Sequence, residues 1–154
     1  MKNLVIYFSY SGNTEKIVRE INKKFNFETV KIDRLKPYSK DYDTCAYVEA
    51  KEEWQKHIHP EITNLGVDVF GYDRILLFFP IWWYTFPMPI ATLIHQLKGF
   101  AGEIVLFENS YTNDPAYVEN SLKDFKDLDD KLNVKQGLFN KSVNEHLKFI
   151  ENLK

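Results

Sequence analysis

Apolar residues along the chain follow two periodicities. Continuous apolar runs, as expected of strands covered on both faces, occur at "LVIYFS" (residues 4–9), "RILLFF" (74–79) and "EIVLFEN" (103–109). "FETVKID" (27–33) alternates as a strand does, and "NVKQGLF" (133–139) reads as a short fifth strand. Between these runs the spacing turns helical. In "TEKIVREINKKF" (14–25), Ile17, Ile21 and Phe25 recur at i, i+4 and i+8 with charges between them. "TCAYVEAKEEWQKHIH" predicts a helix from near Asp43 or Thr44 to just before Pro60. "PIATLIHQLKG" (89–99) and "PAYVENSLKDFKDLDDKL" (115–132) both open on proline, which suits a first helical turn, and the former ends on glycine. "SVNEHLKFIENL" (142–153) closes the chain as an amphipathic helix. Strands and helices in alternation predict a three-layer α/β/α sandwich around a five-stranded parallel sheet. No repeat, linker or low-complexity stretch interrupts it, so residues 1–154 are expected to form a single domain.

Composition removes several function classes. A net charge of −2 offers no footprint for nucleic acid. The single cysteine, Cys45, excludes an intrachain disulfide and a cysteine metal cluster. The N-terminal apolar run passes straight into a glycine-containing turn without a small-residue cleavage site, so a cytoplasmic location is the default expectation. Residues Ile75 to Ile94 carry no charge and are numerous enough to span a bilayer. Pro80, Pro87 and Pro89 interrupt them, and an internal proline costs a helix roughly 3 kcal/mol, so no membrane partner is expected. His57 and His59 lie two residues apart and share no helical face, so no metal site is expected. His95 and His146 read as surface or packed residues. Cys45 has no general base near it in sequence, and no catalytic residue is assigned.

In a parallel α/β sheet, ligands bind beyond the carboxyl ends of the strands. Three loops leave such ends: 9–14, 80–88 and 109–115. The first, Ser9-Tyr10-Ser11-Gly12-Asn13-Thr14, offers hydroxyls, an amide and backbone N–H groups at a helix N-terminus, where an anion is favoured. It contains no Lys or Arg and no nucleoside-triphosphate motif, so it suits a single phosphate held by neutral donors. The same residue types also suit a plain helix cap. The second loop, "PIWWYTFPMP", holds Trp82, Trp83, Tyr84 and Phe86 among prolines. At least one Trp and Phe86 suit a local core. The remaining rings suit a wall against a flat apolar ligand, braced in advance by proline. Together the loops describe a receptor for a flat heterocycle with a phosphate tail.

These residues resemble a known family. "IYFSYSGNTEKIV" resembles the phosphate loop of flavodoxins, and "FPIWWYTFPMPI" the flavin-ring loop of a short-chain flavodoxin-like branch. "KPYSKDY" with the charged helix after it fits the same branch. The resemblance implies a flavodoxin-like fold, strand order 2-1-3-4-5, and flavin mononucleotide (FMN) as cofactor. By position, Ser9, Tyr10, Ser11, Gly12, Asn13 and Thr14 would hold the phosphate. Pro80, Ile81, Trp82, Trp83 and Tyr84 would line the ring, with Asn109, Ser110 and Tyr111 closing its other side. It further implies an electron carrier, a monomer or weak homodimer, served by redox partner proteins: a reductase and an acceptor. An FMN-dependent NAD(P)H or quinone reductase, and a binding module that has lost FMN, remain open. The branch usually has glycine where this chain has Tyr84, which implies a weaker hold on half-reduced flavin. The third loop, "ENSYTNDP", departs from the Gly/Ser-rich family pattern and sets Tyr111 to stack on the ring or crowd it. Acidity is local rather than general: residues 103–130 hold eight acidic and two basic side chains. That stretch suits a solvated helix face or a surface that steers a basic partner.

Overall fold

The computed structural model describes residues 1–153. Five strands, β1 (Asn3–Tyr7), β2 (Glu28–Lys31), β3 (Arg74–Pro80), β4 (Glu103–Asn109) and β5 (Asn133–Phe139), pair in parallel in the order β2-β1-β3-β4-β5. The connecting helices are α1 (Asn13–Phe25), α2 (Lys51–Lys56), α3 (Met88–Gln96), α4 (Ala116–Leu128) and α5 (Val143–Glu151). This is the expected sandwich and the expected strand order. No helix among the described residues is long and apolar enough to cross a membrane.

The continuous apolar runs are explained by burial on both faces. Leu4, Ile6, Ile75, Leu77, Ile104 and Leu106 point to one side and pack with Ile90, Leu93, Ile94 and Phe125 of α3 and α4. Val5, Tyr7, Leu76, Phe78, Val105 and Phe107 point to the other and pack with Val18, Ile21 and Ile150 of α1 and α5. The two-residue period of the strand sorts neighbouring side chains between the layers. His146 is 2% exposed and tilts against the rings of Phe78 and Phe107, so it is a packed residue.

Element ends differ from the sequence expectation for local reasons. The expected helix beginning near Thr44 opens as π-helix over Thr44–Ala50 and continues as α2. It stops where His57 turns left-handed, at φ 53°. Helix α4 ends at Leu128 because Asp129 is extended; acidic groups are unfavourable at a helix C-terminus. Pro115 is the N-cap of α4, while Pro89 lies inside the first turn of α3. A short 3₁₀ turn at Val69–Gly71, unforeseen in the sequence, precedes β3.

At β5 the register with β4 shifts between Leu106 and Glu108, and Gly137 sits against that irregularity. A Cβ on Gly137 would stand 2.7 Å from the Leu106 carbonyl oxygen and 2.9 Å from Val105 Cγ1. Backbone cannot step aside as a flexible side chain does. Gly137→Ala is therefore expected to lower the unfolding free energy by about 1–3 kcal/mol, the usual cost of overpacking, as read from urea denaturation midpoints.

Candidate functional site

Parallel pairing brings the carboxyl ends of β1, β3 and β4 to one edge of the sheet. Phe8 N–H donates to the Phe78 carbonyl (3.0 Å), Ile81 N–H donates to the Asn109 carbonyl (2.9 Å), and Pro80 stands opposite Asn109. The three loops that leave these ends enclose a cavity of about 610 Å³. Of the residues singled out in the sequence, Ser9, Tyr10, Ser11, Asn13 and Thr14 line it from the first loop. Pro80, Ile81, Trp82, Trp83 and Tyr84 line it from the second, and Asn109, Ser110 and Tyr111 from the third. Gly12 does not line the cavity. It is the N-cap of α1 at φ 96°, a conformation open to glycine without strain.

The first loop is organised from within. Ser9 is buried, and its Oγ accepts N–H bonds from Gly12 (3.2 Å) and Glu15 (3.3 Å). Thr14 is also buried, and its hydroxyl donates to Asn109 Oδ1 at 2.6 Å, tying the first loop to the third. Those two hydroxyls hold the loop's shape. The exposed Ser11 and Asn13 side chains face the opening, and the first-turn N–H groups of α1 have no preceding turn to bond. The N-cap, Gly12, has no side chain to offer, and the first turn is capped instead by Ser9 Oγ at the Glu15 N–H. Tyr10 is fixed from behind: its hydroxyl donates to the Ser39 carbonyl at 2.6 Å.

The aromatic loop divides its rings between two tasks. Phe86 is 1% exposed, and Trp82 meets Phe8, Tyr10 and Tyr38 edge-to-face at 5.2–5.8 Å. Trp83 stacks on Trp54 (5.7 Å, 18°), and its indole N–H donates to the Ala46 carbonyl at 2.8 Å. Trp82 and Thr85 exchange backbone hydrogen bonds around Trp83 and Tyr84, whose φ values are 50° and 72°. Two consecutive positive φ values are what a type I′ hairpin turn requires, and Asn-Gly is the usual pair there. The side-chain amide of Asn120 in α4 donates to the Tyr84 carbonyl at 3.1 Å, holding this strained turn from outside.

Asn140, another left-handed residue, shapes the third loop. Its side chain accepts from Ser110 N–H (2.7 Å) and donates to the Thr112 carbonyl (3.3 Å). Tyr111 is 86% exposed at the rim. A fourth wall was missed in the sequence: Tyr42, Cys45, Ala46, Tyr47 and Ala50, with Tyr117 from α4. Its small residues Cys45, Ala46 and Ala50 leave room beside the helix backbone, but in sequence they read as an ordinary helix face. Burial pushes the Cys45 thiol up to about 11, which disfavours the thiolate. Among the described residues no cluster suited to a metal ion is found. His59 Nδ1 and His95 Nε2 do meet, at 2.9 Å, although 36 residues apart in sequence.

The comparisons with known proteins agree with the fold. A family model described as Flavodoxin matches residues 2–153. The flavoprotein of Lactobacillus acidophilus NCFM, solved in complex with FMN, is 27% identical, with a TM-score of 0.80 over 97% of this chain and 98% of that one. The apo-form of the L. acidophilus flavoprotein is 30% identical, with a TM-score of 0.69 over 92% of each chain. Among curated proteins, Escherichia coli YcaK, named an uncharacterized NAD(P)H oxidoreductase, is 23% identical over 94 residues. That match covers 59% of this chain and 44% of YcaK, less than half the relative's length.

Two measurable consequences follow from the local chemistry. Neither glycine nor alanine keeps the Tyr84 ring, so comparing Tyr84→Gly with Tyr84→Ala isolates the left-handed backbone. The glycine variant should be the more stable by about 1 kcal/mol in urea denaturation, since a Cβ is disfavoured at that φ. The second concerns Glu108, 2% exposed on β4, which accepts from the Gln136 side chain while its other oxygen has no partner. Burial raises its carboxyl from about 4.5 to about 8, against a smaller lowering by the Gln136 hydrogen bond. Between those values the folded chain binds the extra proton, so the contribution is fully present below 4.5 and lost as pH rises through 8. Glu108→Gln should flatten that decline in unfolding free energy measured from pH 5 to pH 9.

Proposed function

The chain belongs to the flavodoxin family, and from that premise we propose that it binds one FMN in the cavity and carries electrons between a reductase and an acceptor protein. One observation carries the reading: an uncharged donor loop at a helix N-terminus and a wall of aromatic rings share a single cavity. The residues fit the group. The loop Ser9, Tyr10, Ser11, Gly12, Asn13 and Thr14 would hold the phosphate through the Ser11 hydroxyl, the Asn13 amide, backbone N–H groups and the positive end of α1, with the Ser9 and Thr14 hydroxyls and Gly12 keeping its shape. Pro80, Ile81, Trp82, Trp83 and Tyr84 on one side, and Asn109, Ser110 and Tyr111 on the other, would exclude water from the ring. Bound FMN supplies one- and two-electron chemistry, and the protein supplies orientation and surroundings. The FMN complex of the L. acidophilus flavoprotein supports this assignment.

The partner surface follows from charge. Helix α4 borders the cavity through Tyr117, with Asp114 just before the helix and Glu119 in its first turn; its later acids run away from the cavity toward the start of β5. Acidic side chains at that end of α4 would favour basic redox partners and speed their encounter at low salt. The protein would act as a monomer or weak homodimer in the cytoplasm. A second reading, an FMN-dependent NAD(P)H or quinone reductase, is favoured by the YcaK match and by the exposed rim of Tyr42, Tyr47 and Tyr111, at 56%, 57% and 86% exposure.

Titrating FMN into the cofactor-free protein should quench flavin fluorescence with one-to-one stoichiometry. No quenching would favour a binding module without flavin. Anaerobic NADPH separates the other two readings, since only a reductase bleaches its flavin quickly without a second enzyme. Ser11→Asp places an anion in the phosphate loop. It should weaken FMN at least tenfold, about 1.4 kcal/mol, while leaving riboflavin affinity within twofold, as read by the same quenching.

A further inference from the structure

The wall formed by residues 44–56 is attached to the body differently from every other part of the site. Among the described residues, neither apolar cluster of the sheet faces includes any member of it. Its buried residues are the small Cys45 and Ala50 and the acidic Glu53. Its aromatic support comes from the cavity loop: Trp54 and Tyr47 against Trp83, and Trp54 against Tyr84. What joins it to the sheet is polar. Arg34, just beyond β2, pairs with Glu49 Oε2 at 2.8 Å and Glu53 Oε2 at 3.1 Å, with its side chain 12% exposed. It lies 3.8 Å over the Tyr38 ring, and Nε and Nη2 donate to the carbonyls of Lys36 (2.6 Å) and Pro37 (3.3 Å).

The remaining oxygens of the two acids are also committed. Glu49 Oε1 accepts from Ser39 N–H at 2.7 Å, and Glu53 Oε1 accepts from the Tyr38 hydroxyl. Arg34 backbone is anchored in turn: it bridges to Ile62, and Leu35 N–H donates to the Glu61 carbonyl at 2.8 Å. A planar fork that reaches two carboxylates and two carbonyls at once is an arginine property, which a lysine ammonium reproduces only in part. The opening π-helix is a rare form, found mostly as short interruptions of α-helices and frequently at functional sites.

We infer that Arg34 is a positioning residue for the ring end of the cavity: it latches the 44–56 wall in place, so that the planar head of the ligand, and not its anionic tail, depends on it. The inference rests on the FMN reading for the identity of the head, and on contacts alone for the latch. The phosphate loop hangs from β1 and α1 and is tied to Asn109; Tyr10 reaches across to the Ser39 carbonyl, but Ser11, Asn13 and the start of α1 hang from the sheet side, so opening the wall leaves those donors in place.

The test uses the full chain with FMN and riboflavin, which share the ring but not the phosphate. In Arg34→Gln, affinity for both should fall by the same factor, at least tenfold. Hydrogen exchange of the ligand-free protein should speed up over 44–56 and remain unchanged in β1, β3 and β4. Arg34→Lys should lie between. FMN affinity within twofold of wild type, unchanged exchange over 44–56, or a loss confined to FMN would each overturn the inference. If Arg34→Gln does not fold, Glu49→Gln removes one arm of the latch and is read in the same way. Should the wild type take up no flavin, the cofactor reading fails, while the exchange experiment still decides whether Arg34 holds the wall.

Discussion

Three parallel strands whose carboxyl ends stop side by side are the constraint on which everything else rests. Pairing β1 with β3 and β3 with β4 leaves their exits no freedom to separate. Each strand is covered on both faces by apolar side chains, so slipping one residue would exchange the side chains between layers. The register is thus secured by the whole core. The loops inherit their mutual placement from it, and Thr14 can meet Asn109 across 95 residues of sequence. A binding cavity assembled from distant segments needs such a scaffold, because the loops have little core of their own.

The aromatic loop shows how strain is held at that edge. Trp83 and Tyr84 occupy left-handed backbone, which tyrosine and tryptophan accept only under compulsion. The compulsion is local and identifiable. Trp82 is wedged among three rings, the Trp83 indole is hydrogen-bonded to Ala46, and the Tyr84 carbonyl is bonded by Asn120. Neutral hydrogen bonds contribute about 0.5–1.5 kcal/mol each, so two or three of them offset a cost of the same size. The result is a turn that presents two large rings where a glycine-bearing turn would present one.

Much of this was legible in the residues. The strands announced themselves through uninterrupted apolar runs, since a strand buried on both sides has no polar positions to show. The first and second loops were legible because glycine, serine and proline each have narrow backbone uses at strand exits. The wall at 42–50 was not. Its contribution comes from the backbone and small side chains of a π-helical turn, and nothing in "TCAYVEA" distinguishes a π turn from an α turn. The latch was hidden for another reason. Arg34, Glu49 and Glu53 are ordinary charged residues in sequence, and only the return of the chain from β2 to α2 makes one guanidinium serve two carboxylates. Spacing bears only on His57 and His59, and His95 reads as a surface or packed residue, whereas the His59–His95 contact depends on the fold.

The two ends of the cavity are built on different physics, and this division explains the placement of charge. The anion end has no formal charge in its loop and draws on neutral donors and a helix terminus fixed to the sheet. Its attraction is short in range and survives salt, because the donors act at contact distance. The ring end is closed by a wall whose hold is ionic but turned inward, with Arg34 and both acids mostly sheltered from solvent. Buried pairs of this kind add little net stability over apolar packing, yet removing one partner strands the others at high cost. Such a latch specifies one position for the wall more than it strengthens the fold. An apolar attachment of the same segment would have extended the core and made the wall as immobile as the strands. Under the proposed latch the polar attachment would leave the segment a local unit able to open without the sheet, as a planar group entering between two walls would require.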